Sequence, residues 1–395
     1  MVKRAKTRAP TQRTVLTAAG VAATVLSVAG AIVVTLLVTA LSDYRSASST
    51  YIAASESRSE LAALLDDAEV TRSDALVEAR SALLVAEAVL AAAEDGYVGS
   101  AEKAALAARR DSLAATVADA DDDPAEGMPA RARLPSDATT AQLTEGAAEL
   151  QAEIARIRAG TARSSGTADE VMAALDRLES SGESFGDALP AVAQAVLDAN
   201  TSATNDTRIA LKSDAQTIDN GSTGWNQLES TVVSFVTSAK AVQASQLSEE
   251  AEKSGPLYAA RTEIEAYARS IAGGAAIDFD WAPIVIGYGE GGSMAGTSGC
   301  STDPTDDSFY STITLTNSVA SKWGSDSNAR ALVTHEVGHT ITCKCWDLFE
   351  ANAGGDYEAW ATAWAIGMGF EEDGNGTQAY GRPSDTLIDA AKGCR

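Results

Sequence analysis

Residues 326–342 read DSNARALVTHEVGHTIT, and the fold at this end of the chain turns on that stretch. Asp326 or Ser327 can cap a helix, and the residues behind it predict one running to about Thr342. Inside it His335, Glu336, Val337, Gly338 and His339 spell HExxH, and these are the two histidines of the entire chain. Side chains four residues apart lie about 40° apart around a helix, so both imidazoles converge on one point and Glu336 projects beside them. This is the spacing with which a helix holds a zinc-type ion, with a carboxylate placed to take a proton from a water. Val333, Val337 and Ile341 fall on the far side, predicting a buried back face and histidines that look into a cleft.

A catalytic ion of this kind takes a third protein ligand and keeps one position open. The HExxHxxGxxH continuation fails, because Thr342 occupies the glycine position and Cys345 the last ligand position, although Cys345 stays open as a thiolate ligand. A second helix is predicted from near Asp356 to about Gly369, and Glu358 in its first turn is the best-placed carboxylate. Glu350 and Asp356 remain alternatives. Both flank residues 351–355, which read as loop, and Asp356 can cap the second helix.

Through HEVGH at 335–339 and Glu358-Ala359-Trp360-Ala361, about 140 residues of the chain resemble the gluzincins, the thermolysin-like zinc peptidases. The resemblance implies a zinc ion bound by His335, His339 and Glu358, with Glu336 as general base. It also implies that the strand before the zinc helix holds extended peptide. The family's aspartate four residues after the third ligand is replaced by Thr362, so something else must orient the imidazoles. The family's downstream histidine has no counterpart. Tyr380, Arg382 and Tyr357 are the candidates to stabilise an oxyanion, Tyr380 foremost.

Upstream of this domain the texture differs. Lys3, Arg4, Lys6, Arg8 and Arg13 precede an uncharged run, and residues 1–14 read as a basic cytoplasmic tail before a transmembrane signal-anchor at 15–41. The bulk of the chain is then expected outside the cell. Residues 42–254 are rich in Ala, Glu, Ser and Leu, with apolar stripes such as Leu61, Leu65, Ala68, Leu76 and Ala79, then Leu143, Leu150, Ile154 and Ile157. They predict a helical stalk or bundle, broken at Asp95-Gly96 and by a linker near 121–140, through which the chain could form homo-oligomers. Asn200, Asn205, Asn220 and Asn375 stand in glycosylation-type sequons.

From residue 255 to 395 glycines, tryptophans and all four cysteines appear. The expected fold class is mainly α, ending in an α+β zincin-like domain. Ile284-Val285-Ile286 reads as a buried strand and residues 311–317 as a half-buried one. Gly287, Gly289 and Gly292 match GxGxxG without a following helix, which predicts a flexible loop rather than a dinucleotide site. Trp360 and Trp364 read as core packing. Cys343 and Cys345 are too close to pair with each other, so each is expected to bond Cys300 or Cys394, and the spacing does not choose between the two pairings.

The net charge of −25 repels phosphate backbones and excludes nucleic acid as the main partner. Together these features predict a membrane-anchored, outward-facing zinc peptidase acting on peptides or proteins. The alternative is a cell-surface interaction or sensor protein with a catalytically inactive head.

Overall fold

The computed structural model describes residues 15–123, 134–219, 224–303 and 308–395, with side chains described from Gly30 onward. The elements in chain order are α1 (Val15–Ala92), α2 (Ser100–Asp122), α3 (Thr140–Asp187), α4 (Leu189–Ala199), α5 (Asn205–Asp219), α6 (Leu228–Glu252) and α7 (Tyr258–Ile271). Then follow β1 (Ala276–Ala282), β2 (Gly296–Thr297), β3 (Ser301–Thr302), β4 (Phe309–Thr316), α8 (Asn317–Lys322), α9 (Ser327–Thr340), α10 (Trp346–Ala353), α11 (Tyr357–Gly367), α12 (Thr377–Tyr380) and α13 (Asp385–Ala391). The protein is mainly helical, as the composition predicts.

The membrane span expected over 15–41 is corrected. Those residues open the 78-residue helix α1, and among the described residues no helix is long and apolar enough to cross a membrane. The uncharged run is not set apart as an element of its own, because nothing in it ends the helix. Asp43 and Arg45 then continue the same helix. The basic tail at 1–14, the side chains of 15–29 and residues 124–133 of the expected linker lie outside the described residues.

The chain divides into two compact units, one of residues 1–80 and 115–173 and the other of residues 81–114 and 174–395. In the first, Leu65, Ala68, Leu76 and Ala79 of α1, Val117 of α2, and Leu143, Leu150, Ile154 and Ile157 of α3 are buried. Apart from Val117 these belong to the stripes read from the sequence, of which Leu61 is only half-buried, and their burial holds helices whose propensity alone is marginal.

In the second unit β4 is the central strand. It pairs in parallel with β1, Ile277 opposite Ser311, and antiparallel on its other side with β2 and β3. The strand preceding α9 is therefore flanked on both sides, so it offers no free edge to a peptide, and the β2 segment lies beyond it. The strand expected at 284–286 is also corrected: Pro283 ends β1, Ile284 and Ile286 are exposed, and Ile286 takes a positive φ of 43° in a tight turn. The pairing strand lies earlier, with Ile277, Phe279 and Trp281 buried on its inner face. They form one core with Ile264 and Ala268 of α7, Ile313 and Leu315 of β4, Val333 and Val337 of α9, and Trp360 and Trp364 of α11.

Helices α4–α6 belong to this same unit. Asp278 on β1 accepts from the backbone N–H of Asn205 at 2.8 Å, and so caps the N-terminus of α5 from the sheet. The Asn205 amide donates to Asp278 at 3.0 Å and to the Ser311 carbonyl at 2.8 Å. Lys253, 3% exposed, donates to Ser202 at 2.7 Å and Glu265 at 2.9 Å. Buried polar groups without such partners would cost about 1–3 kcal/mol each. The amides of Asn200 and Asn375 donate to the Val196 and Phe370 carbonyls, so three of the four sequons carry buried, engaged asparagines. Asn220 lies outside the described residues.

Candidate metal centre

The helix that carries HExxH is started by Asp326, whose carboxylate accepts from the Asn328 N–H at 3.0 Å. Its back face, Val333, Val337 and Ile341, is at most 1% exposed, which turns His335, Glu336 and His339 toward the opposite side. Gly338 lets α11 come close: a Cβ there would stand 2.8 Å from the Ala361 Cα, too near to be tolerated. Asp356 caps α11 by accepting from the Ala359 N–H at 3.0 Å, and places Glu358 in the first turn, where a helix favours negative charge. The loop expected at 351–355 is largely helix. Phe349 is buried and pulls α10 onto the core, so the turn shrinks to Gly354 and Gly355, both with positive φ.

Three donor atoms meet at the centre. His335 Nε2 lies 3.1 Å from Glu358 Oε2, His339 Nε2 lies 3.2 Å from the same oxygen, and the two imidazole nitrogens are 3.2 Å apart. Bonds of about 2.0–2.1 Å at tetrahedral angles would give edges of about 3.4 Å, so this triangle fits one small divalent ion with a fourth position open.

The protonation pattern points the same way. Nδ1 of His335 faces the Asn375 carbonyl at 3.0 Å, and a carbonyl only accepts, so Nδ1 carries the proton and Nε2 offers a lone pair to the centre. Burial works against charge on His335, but the facing carboxylates of Glu358 and Glu336 outweigh it, and its pKa is raised. Burial would likewise raise Glu358, yet the two imidazoles hold it well below the usual carboxylate range. Both shifts express one demand, for positive charge where the three donors converge.

The alternatives for the third ligand are used elsewhere. Cys345 is bonded to Cys394, Glu350 is exposed on α10, and Asp356 is the cap of α11. Of the three candidates for an oxyanion donor, Tyr380 is the one at the centre, its ring stacked on His335 with centroids 5.9 Å apart and planes 6° apart. Burial, and then the charges of Glu358 and Glu336, push its phenol pKa up. Arg382 pairs with Glu371 at 3.0 Å, and Tyr357 packs on Phe349 with centroids 4.6 Å apart.

Three residues, Asn375, Gly376 and Ser298, escape the motif reading, and Thr362 stands in the aspartate's place. Asn375 supplies the carbonyl that orients His335, and Thr362 stands 3.4 Å from the same Nδ1. Gly376 follows with φ of 101°, and a Cβ there would meet Thr362 Oγ1 at 2.3 Å and His335 Nδ1 at 2.7 Å. The Asn-Gly dipeptide is a turn signal in the sequence, though not one that names a partner. Ser298 has no local signal, yet its hydroxyl lies 2.8 Å from Oε2 of Glu336. The disulfides join Cys300 to Cys343 and Cys345 to Cys394, which decides between the two pairings the spacing allows. No protein-family model matches the chain, and no curated protein and no solved structure is significantly similar to it.

Proposed function

We propose that this protein is a zinc-dependent peptidase that hydrolyses peptide bonds in an oxidising compartment. The observation that carries the reading is the three-cornered donor set of His335, His339 and Glu358, all within 4.8 Å of one another, with Glu336 on the same helix beside it. Two disulfides with no free cysteine among the described residues support the oxidising setting.

A zinc-type ion held by these three residues would supply Lewis acidity, polarising the scissile carbonyl and acidifying a water. Glu336 would then take a proton from the attacking water and deliver it to the leaving amine. Tyr380, stacked on His335, donates its phenol hydrogen bond to the oxygen that gains charge. His335 keeps its ring in place by donating from Nδ1 to Asn375. A structural ion would ask for a fourth protein ligand, and Cys345, the thiol best placed in the sequence, is bonded to Cys394.

The test uses the full chain, because α4–α6 share a compact unit with the sheet. Metal analysis after dialysis, paired with digestion of a generic peptide mixture by the same sample, should return about one zinc per chain and cleavage abolished by a chelator. Tight zinc with no cleavage, and no effect of Glu336→Gln, would replace the enzyme with an inactive, metal-bearing interaction domain.

A further inference from the structure

A general base needs its carboxylate in one place, and Glu336 sits where the chain takes unusual care of it. The segment from Ser293 to Cys300 runs along β4 and is tied at both ends. At its start the Ser293 carbonyl accepts from the Ser318 hydroxyl, and the Ala295 carbonyl accepts from the Thr316 N–H at 3.0 Å. At its end Cys300 is bonded to Cys343, just past α9. Between those ties the segment passes directly over Glu336. A Cβ on Gly296 would meet Glu336 Oε1 at 2.6 Å and Cγ at 2.7 Å, so a side chain there would push the Glu336 side chain out of its place. Two residues on, the Ser298 hydroxyl lies 2.8 Å from Glu336 Oε2 and 2.8 Å from the Glu336 main-chain carbonyl.

We propose that Ser298 is the positioning residue for Glu336. Its one hydroxyl proton, shared between the glutamate's own carbonyl and carboxylate, fixes which way the proton-moving group points. This rests on the peptidase reading and deepens it. Glutamate has three side-chain torsions, the last of them soft, and a buried glutamate without a partner spreads over several orientations. Among the described residues the Ser298 hydroxyl is the hydrogen-bond donor to the Glu336 carboxylate. Ser298 acts through Glu336: among the described residues its hydroxyl is bonded to that glutamate and not to His335, His339 or Glu358.

The test compares Ser298→Ala and Ser298→Thr in the zinc-loaded full chain, reading zinc content, kcat and KM separately, and a crystal structure of each variant. Ser298→Ala should keep its zinc and its KM, while kcat falls about tenfold or more and the Glu336 carboxylate spreads over several rotamers. Ser298→Thr retains the hydroxyl and should restore both kcat and the single rotamer. An unchanged kcat in Ser298→Ala overturns the proposal, as does a Glu336 side chain that stays where it is. If the wild-type chain cleaves no peptide, the peptidase reading falls, and the rotamer comparison still decides whether Ser298 positions Glu336.

Discussion

The helical unit and the end of the chain that carries the candidate site bury their side chains by opposite means. In the unit of residues 1–80 and 115–173, the buried set is Ala, Leu, Ile and Val in stripes, and Ser164 is its one buried polar residue among those described. From residue 255 on, Glu265, Asp278, Asp303, Thr334, His335, Glu336, His339, Thr362 and Asn375 are all buried alongside the core. Apolar stripes need only contact. Buried polar groups need a particular partner, and each one missing is costly. The first region should therefore absorb change as lost stability, and the second should register it as lost chemistry.

The largest expected effect is at Glu358. Glu358→Ala removes one corner of the donor triangle, so zinc should be lost on dialysis and hydrolysis with it. A variant that kept full metal would show that the triangle is not the site. Glu336→Gln leaves the three donors intact, so zinc should stay near one per chain while hydrolysis falls by about a hundredfold or more. Loss of metal in that variant would erase the distinction between holding the ion and moving the proton.

Leu150→Ala probes the other side of the comparison. Leu150 is 2% exposed, and its truncation should cost about 2–5 kcal/mol of unfolding free energy in denaturant titration, with zinc affinity unchanged. Should zinc affinity fall as well, the contrast between the two regions fails. Gly376→Ala adds a methyl group against Thr362 and His335, at a positive φ, and should weaken zinc about tenfold while the helical unit melts as before.

The smallest effect is expected where α6 approaches the sheet. Burial, and then the charges of Glu252, Asp280, Asp278 and Glu265, raise the pKa of Glu249 from 4.5 to about 7. The folded state then holds this proton more tightly than the unfolded chain, so the group stabilises below pH 4.5 and loses that contribution as pH rises to about 7. Glu249→Gln should flatten the fall in stability over that window. An unaltered slope would mean that this carboxyl is as well solvated as those of the helical unit.

Legibility in the sequence follows the same division. The stripes at Leu143, Leu150, Ile154 and Ile157 and the caps at Asp326 and Asp356 were readable because helix periodicity and capping act over three or four residues. The apparent strand at 284–286 misled because three apolar residues in a row read alike in a strand and in a turn that buries only its middle one, Val285. The uncharged run from residue 15 misled for a related reason: hydropathy does not show where a helix ends, and here one helix continues through Asp43 and Arg45.

By itself the sequence determined that the chain is mainly helical and that His335 and His339 share a helix face with Glu336 between them, because each of these follows from neighbours within a turn or two. Only the tertiary structure decided which cysteines pair, that Asn375 holds His335, that Ser298 meets Glu336, and that Tyr380 rather than Arg382 or Tyr357 stacks on the centre. Those contacts join residues about 40 apart along the chain. Over such spans no local periodicity operates, and the partners are chosen by how α9, α11 and the sheet pack around one core.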